Sequence, residues 1–579
     1  MRNRWSSYLP WGLALGTALI AAPMTARSAV FTVDTTADAL DALPGDGICA
    51  TGAGACTLRA AIQETNSLPG PDTIMLPAGT YLLTLGNSDL DSSGDLDVRD
   101  TLAIQGAGAA TTIIDANHAS RVIQVADSPG LPLALSGVTV QNGDGFAVSG
   151  ESFGGGISAF VGPVSLTDCV VTGNTGSIGG GIAGLHGLSL VRTTVSGNTA
   201  TTAAGGLATV DGTISDSTFS GNTSTPSPPL GGSDIFTNGA GTLTIANSTL
   251  EGEIRNLAYC DVPPIPTCTP GTDIVLANVT VGAISFFQAG PGGSFTARNS
   301  IIRNCNGGLT LLSQGHNLIE TNACNVVGDT TGNLVGVDPQ LGPLADNGGP
   351  TATHEPLAAS PVLDAGDPGA PGSGGTACEA TDQRAVARPQ GSRCDIGAVE
   401  RLVCAPCLVA SGNACVPPSC GLIPATNATL SLTRGTTPAK DRLSYRWRGG
   451  PVAKSDFGDP RVVAPRLCLY DAGGTVLLDA SAPEDGCRGH ACWRESTSGY
   501  RYRDADLTPS GLASLSLKAG SVGSVSAKGR GALLAPQPSP FATPVRALLF
   551  GDPSGPCFGA DFDTGVRKNT DRSFRAVAP

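Results

Sequence analysis

The chain has 579 residues, of which 79 are glycine and 42 proline, while aromatic residues make up 4%. Glycine and proline both break helices, and a hydrophobic share of 40% beside 14% charged residues excludes a disordered chain, which couples low hydrophobicity to high net charge. Residues 1–420 hold 14 Arg, no Lys and 34 acidic residues, a net of −20, whereas residues 421–579 hold 20 basic and 14 acidic residues, a net of +6. An acidic body of this kind excludes a nucleic-acid partner, whose phosphates require a basic surface.

In chain order, the N-terminus reads as an export signal over 1–28: Arg2 and Arg4, an apolar stretch from Trp11 to Ala22, and an A-x-S cut at Ala26-Arg27-Ser28. No later apolar run approaches the ~18 residues of a membrane span, so the mature chain is expected to lack a transmembrane segment and to act as a secreted or cell-surface monomer. The expected organisation is then a cap over 30–100, a solenoid over 101–335, a second cap over 336–401, a Cys-rich linker over 402–420 and a β-sandwich over 421–579.

Within the first cap, Val30-Phe-Thr-Val-Asp34 predicts a strand, Cys49 and Cys56 a tied turn, and Leu58, Ala61 and Ile62, at i, i+3 and i+4, the buried face of a short helix. The run Cys56-Thr57-Leu58-Arg59-Ala60-Ala61 resembles the CSLREA domain of exported bacterial proteins. Thr57 stands where that family has serine and Ala60 where it has glutamate, which deprives Arg59 of the acidic partner the resemblance implies.

Downstream, Asp89, Asp91, Ser93, Asp95, Asp97 and Asp100 occupy places 1, 3, 5, 7, 9 and 12 of a loop with Gly94 at place 6, the ligand order of a calcium site. Asp instead of Glu at place 12, and the lack of flanking helices, favour a solvated acidic turn as the competing reading.

Between about 130 and 305 one pattern returns seven times, from Leu133-Ala-Leu135-Ser-Gly137-Val138-Thr-Val140 to Phe295-Thr-Ala297-Arg-Asn299-Ser300-Ile-Ile302. The residue at its second apolar site advances through 135, 166, 190, 214, 245, 276 and 297. A repeat of 21 to 31 residues predicts a right-handed parallel β-helix whose longer coils expel loops. Strand alternation turns the first, third, sixth and eighth positions inward, which makes Cys169 a buried small side chain and not a reactive thiol. A bend carries Gly137, Asp168, Arg192, Asp216, Asn247, Asn278 and Asn299 in register, residue types that mostly tolerate a left-handed backbone. Asn247, Asn278 and Asn299 are expected to stack as an amide ladder along the axis. Further turns recur at Gly173-Asn174, Gly197-Asn198 and Gly221-Asn222, and at Gly154-Gly-Gly, Gly179-Gly-Gly and Gly205-Gly.

The stretch from Gly315-His316-Asn317 through Asp338-Pro-Gln, Asp346-Asn347-Gly-Gly-Pro, Thr381-Asp382-Gln383-Arg384 and Cys394-Asp395-Ile-Gly resembles the choice-of-anchor Q domain. That resemblance implies an exported, surface-attached protein with a β-helix ahead of the domain. His354, Asp364, Asp382, Arg384, Arg388 and Asp395 are read as a turn-rich cap held by Arg–Asp pairs rather than as catalytic groups.

Seventeen cysteines fit an oxidising compartment. The expected local bridges are Cys49/Cys56, Cys260/Cys268, Cys305/Cys324 and Cys378/Cys394. Two more are expected within Cys404, Cys407, Cys415 and Cys420, in preference to zinc, and two among Cys468, Cys487, Cys492 and Cys557. In the last domain, alternating runs around Leu430, Leu467, Leu515 and Val545 predict the sandwich strands, with Tyr445, Trp447, Trp493, Tyr500 and Tyr502 in its core.

Together these features lead to the expectation of an all-β binding, adhesion or structural scaffold with no identifiable catalytic site, whose partner is an extracellular polysaccharide or cell-surface glycan and whose one cofactor option is calcium. The alternative is a polysaccharide lyase or glycoside hydrolase. Against it, no lysine precedes Lys440, and the β-helix lacks the Asn-Thr-Asp, Asp-Asp and Gly-His-Gly sets of polygalacturonases, Gly315-His316-Asn317 coming nearest. The best carboxylate pair, Asp168 and Asp216, lies two coils or ~9.6 Å apart, with Arg192 between them expected to keep both ionised. Loop carboxylates Asp144, Glu151 and Asp234 remain, and the flank beside Ile157, Ile182 and Leu207 is expected to be flat and Gly/Ser-lined.

Overall fold

The computed structural model describes residues 28–578 apart from 87–92, 127–129, 146–152, 185, 226–232, 261–267, 289–291, 307, 322, 485–486 and 488–490. It divides into two compact units. One runs to Ala345 and adds Pro350–Gln383 and Arg393–Val399; the other comprises Asp346–Gly349, Arg384–Ser392 and Glu400–Pro579.

The first unit is a parallel β-helix. Twelve parallel strands, from Val30–Thr32 to Asn325–Asp329, stack as one face. An 18-stranded sheet supplies two further tracks, which merge where the long strands Thr249–Cys260 and Thr280–Gln288 run through both. Register is strict. Leu135, Leu166, Leu190, Ile214, Ile245, Leu276 and Ala297 lie directly over one another. So do Val140, Val171, Val195, Phe219, Leu250, Val281 and Ile302, and Ile123, Ile157, Ile182, Leu207, Ile235, Ile254 and Ile284. All of these side chains are buried in one continuous core.

The inward sixth position tolerates small polar side chains because each finds partners within the stack. The Ser217 hydroxyl accepts from the Thr193 amide and donates to the Ser215 carbonyl, and Ser248 repeats this with the Ser217 amide and Ala246. Cys169 occupies the same column, and burial pushes its thiol up to about 11, so it is inert.

At the bend, Asp168, Arg192, Asp216, Asn247, Asn278 and Asn299 all have φ between 44° and 54°, the left-handed conformation that the Asp and Asn positions predict and that Arg192 adopts in register with them. The amide ladder, however, lies elsewhere. Asn278 and Asn299 turn away from the axis, while Asn174, Asn198 and Asn222 stack inside the coil: Nδ2 of Asn174 donates to Oδ1 of Asn198 at 3.0 Å, and Asn198 to Asn222 at 3.0 Å. The glycine turns exist to make room for this ladder. A Cβ on Gly181 would meet the Gly206 carbonyl at 2.7 Å and the Asn198 amide at 3.0 Å.

The N-terminal helix, Leu58–Ser67, is capped by the Thr57 hydroxyl and buries Leu58, Ala61 and Ile62 as expected. Arg59 is buried as well, and its acidic partner is Asp38, at 2.6 Å; it also donates to the Gly94 and Asp95 carbonyls.

The second unit is built from two sheets that share the long strand Gly421–Thr433. Trp447 and Phe558, from opposite sheets, meet edge to face at 5.3 Å. Tyr445, Trp447, Trp493, Tyr500 and Tyr502 are all core residues, so none of them offers a ring face to a ligand.

Among the described residues seven disulfides form. Cys49–Cys56, Cys305–Cys324 and Cys378–Cys394 match the spacing argument. Cys260 and Cys268 are register partners, but their side chains lie outside the described residues. The linker pairing differs from expectation. Only Cys404–Cys415 closes locally, across the hairpin Val409–Ser411 and Ala414–Val416; Cys407 bonds Cys468, Cys420 bonds Cys557, and Cys487 bonds Cys492. Cys407 and Cys420 pack with Cys468, Tyr470, Leu548 and Cys557, so proximity in the fold overrides proximity in the chain.

The glycine–asparagine packing carries a test: Gly181→Ala should destabilise the β-helix by about 1–3 kcal/mol, read by urea denaturation, despite alanine's restriction of the unfolded chain.

Candidate functional site

The two bend carboxylates, Asp168 and Asp216, sit in unlike environments. Arg192 grips Asp168 alone, through Nε and Nη2 at 2.7 and 2.8 Å, and holds its carboxyl below the usual range. Burial raises the Asp216 carboxyl above the usual range, with nearby Asp382 adding to the effect, while the Arg192 charge acts in the opposite sense as the spacing suggested.

That burial comes from the segment expected to cap the end of the coil, which reaches back along the flank. The Thr351 hydroxyl donates to the Asp216 carbonyl, and Gln383 Nε2 donates to the Ser217 carbonyl and the Thr218 hydroxyl while its Oε1 accepts from Thr249. Two and three coils on from Asp216, Asn278 Oδ1 accepts from the Glu379 amide, and Asn299 bonds Thr376 and Asp367. Asn278 and Asn299 therefore hold a strap and do not stack on each other, whereas Asn247 bonds the Asp216 side chain one coil back. Asp364 and Asp395 cap backbone amides within it, the Asp395 carboxylate taking the Asp364 amide and Asp364 taking Arg393. Arg388 pairs with Glu400, and Arg384 donates to the Glu400 and Asn347 carbonyls, within the second unit.

Of the calcium-loop residues, Asp89 and Asp91 lie outside the described residues. Asp95 is buried against Arg121 at 3.3 Å, Asp97 lies 3.7 Å from Arg99, and Asp100 accepts the Gly70 and Thr101 amides. Ser93 is intermediate in exposure. Two guanidinium groups and two backbone amides thus already contact the three carboxylates that the loop would offer a cation. A second grouping with metal-ligand geometry, Cys407, Cys468 and Asp479, has its two sulfurs joined in a disulfide and so offers no thiolate.

Glu151 falls outside the described residues, and Asp144 bridges to Thr175 at the coil edge. Asp234 ends the buried amide ladder: its oxygens accept Asn222 Nδ2 at 2.9 Å and the Gly252 amide at 2.6 Å. The flank beside Ile157, Ile182 and Leu207 is not open Gly/Ser surface. It carries a three-stranded ribbon, Thr175–Ile178, Thr199–Ala203 and Thr223–Ser224, and an apolar cluster of Ala203, Ala204, Ala208, Phe236 and Leu257.

Among the described residues, one set of interacting polar groups on outward strand positions across three coils was missed by sequence reasoning. Register places Glu253, Ala283 and Asn304 in one column, and Arg255, Ser285 and Asn306 in the next. Between the columns Ile254, Ile284 and Cys305 point into the core, so strand alternation turns both columns away from it. Arg255 pairs with Glu253 at 3.3 Å and donates to Ser285 at 3.1 Å. Asn306 donates to Glu253 at 3.1 Å, Asn304 to Asn306 at 3.0 Å, and Thr321 to Asn304 at 3.1 Å. Beside them, His354 Nδ1 lies 2.8 Å from the Gly342 carbonyl, an acceptor, so that nitrogen carries the proton; Nε2 lies 3.7 Å from Glu251. Arg303 and Glu320 pair nearby at 2.9 Å. The face thus combines a carboxylate–guanidinium pair, two primary amides and hydroxyls at strand spacing, a fixed array of donors and acceptors. Its sequence signal is Glu251-Gly-Glu253-Ile254-Arg255, a charged alternation in a repeat otherwise lined by Ser and Thr.

Asp234 gives the unit a pH dependence. Burial pushes its carboxyl up to about 6, so the folded state holds a proton that the unfolded chain releases near 3.9. This contribution is full below pH ~4 and is lost as pH rises through ~6. From pH 4 to 7 the parent should lose about 2 kcal/mol relative to Asp234→Asn, measured by denaturant titration at each pH.

No family model, curated protein or solved structure matches the chain.

Proposed function

We propose that the chain is an exported, surface-associated β-helix scaffold that binds extracellular glycan through the Glu253–Arg255–Asn304–Asn306 face. The arrangement of those four side chains carries the reading. Planar carboxylate, guanidinium and amide groups each present paired hydrogen-bonding atoms that suit adjacent sugar hydroxyls, and their mutual bonds hold them in place before a ligand arrives, which reduces the ordering cost of binding. The resemblance to CSLREA and choice-of-anchor Q domains supports export and surface attachment, as do the seven disulfides, which belong to a non-cytoplasmic chain. The net of −20 over residues 1–420 favours neutral over acidic polymers.

The enzyme reading has one observation in its favour: the Glu251–His354 pair at the edge of the face, with the imidazole tautomer set by Gly342. A glycan array with the secreted chain should give binding to a neutral polysaccharide, reduced at least tenfold in Arg255→Ala and unchanged in Arg192→Ala. Absence of binding to every glycan would overturn the proposal. Release of reducing sugar or unsaturated product that is lost in Glu251→Gln would instead make the protein an enzyme.

A further inference from the structure

A separate observation lies in the second unit. A cavity of about 180 Å³ is lined by Pro417, Tyr470, Asp471, Pro544, Arg546 and Asp561, with Ala472 and Gly474 completing it. From these walls we infer a second ligand site, one that takes a single neutral hexopyranose ring, free or at the end of a glycan. This inference does not depend on the β-helix face.

Three properties of the cavity support it. Size is the first: the volume lies below the ~300–1,000 Å³ of pockets that enclose drug-sized ligands, which leaves room for one ring. The second is that the polar groups are already held. Asp471 Oδ1 accepts the Gly473 and Thr475 amides at 2.9 and 2.8 Å, which fixes the plane of its carboxylate. Arg546 and Asp561 face each other across neighbouring strands and form a two-bond fork at 2.7 and 2.9 Å through Nε and Nη2. The Tyr470 hydroxyl donates to the Cys407 carbonyl at 2.6 Å. Groups positioned by second partners are what a specific site requires.

Third, the chemistry is mixed in the way a pyranose demands. Pro417, Pro544 and Ala472 give apolar surface for the C–H face of a sugar, above a Tyr470 ring that is itself buried, while Asp471, Asp561 and Arg546 offer acceptors and donors for its hydroxyls. Asp561 already neutralises Arg546, and Asp471 adds a negative charge, so a uronate or sugar phosphate is disfavoured.

The test is saturation-transfer NMR and calorimetry on the full secreted chain with methyl glycosides of neutral hexoses, methyl uronates and the matching neutral oligosaccharides. One neutral methyl hexopyranoside should bind, at least tenfold more tightly than its uronate. Affinity should fall at least tenfold in Arg546→Ala and in Asp471→Asn, which keeps the oxygen that receives the Gly473 and Thr475 amides and so preserves the turn. Arg192→Ala, at the β-helix bend and outside both sites, should leave this binding unchanged. A chain that binds no neutral hexopyranoside, or binds one equally in parent and Asp471→Asn, overturns the inference. Equal affinity for a monosaccharide and its oligosaccharide identifies a single ring as the whole ligand; affinity that rises at least tenfold with each added ring overturns the single-ring assignment.

Discussion

In-register parallel stacking is the constraint on which the first unit depends. Each coil hydrogen-bonds to the coils above and below, so position k of one repeat lies over position k of the next, and a residue type that suits one coil must suit the whole column. Leu166, Leu190 and Ile214 form one row for this reason. The same rule accounts for the buried polar groups: a hydroxyl or amide is tolerable inside only if its neighbour one coil away completes its hydrogen bonds, as Ser217 and Ser248 do and as Asn174, Asn198 and Asn222 do. Asp234 is the exception that ends the amide row, and it brings an ionisable group into a site where ionisation is costly.

The bend and the outward columns of the coil use their polar side chains differently. The bend presents carboxylates in register, but one is neutralised by Arg192 and the other lies beneath the strap that Thr351, Gln383, Glu379 and Thr376 pin to the flank. Asn278 and Asn299 serve that docking, a use of the left-handed position quite different from stacking. The two columns headed by Glu253 and Arg255 lie on outward-facing strand positions, and their side chains bond to one another.

The second unit reaches its stability by another route. Its aromatic residues fill the space between two sheets, and Cys407–Cys468 and Cys420–Cys557 tie the linker cysteines to strands 61 and 137 residues away in the chain. Closing loops of that length restricts the unfolded chain more than short local clips would. Whatever that unit binds must therefore be met by groups outside the aromatic core, such as those around Asp471 and Arg546.

What could be read from residues alone was whatever repeats or lies close in the chain: the coil period, the inward columns, the left-handed bend, the helix Leu58–Ser67, the inert Cys169 and three local disulfides. These follow from alternation, backbone preference and short-range geometry, which act within one repeat. The tertiary structure alone decided the strap, the true position of the amide ladder, the Arg59–Asp38 partnership and the long disulfides. It also decided the polar face, because coils of unequal length bring Glu253 over Asn304 and Arg255 over Asn306 through a register shift after Leu250. Contacts of that kind join segments tens to hundreds of residues apart, and no local propensity encodes which of them will meet.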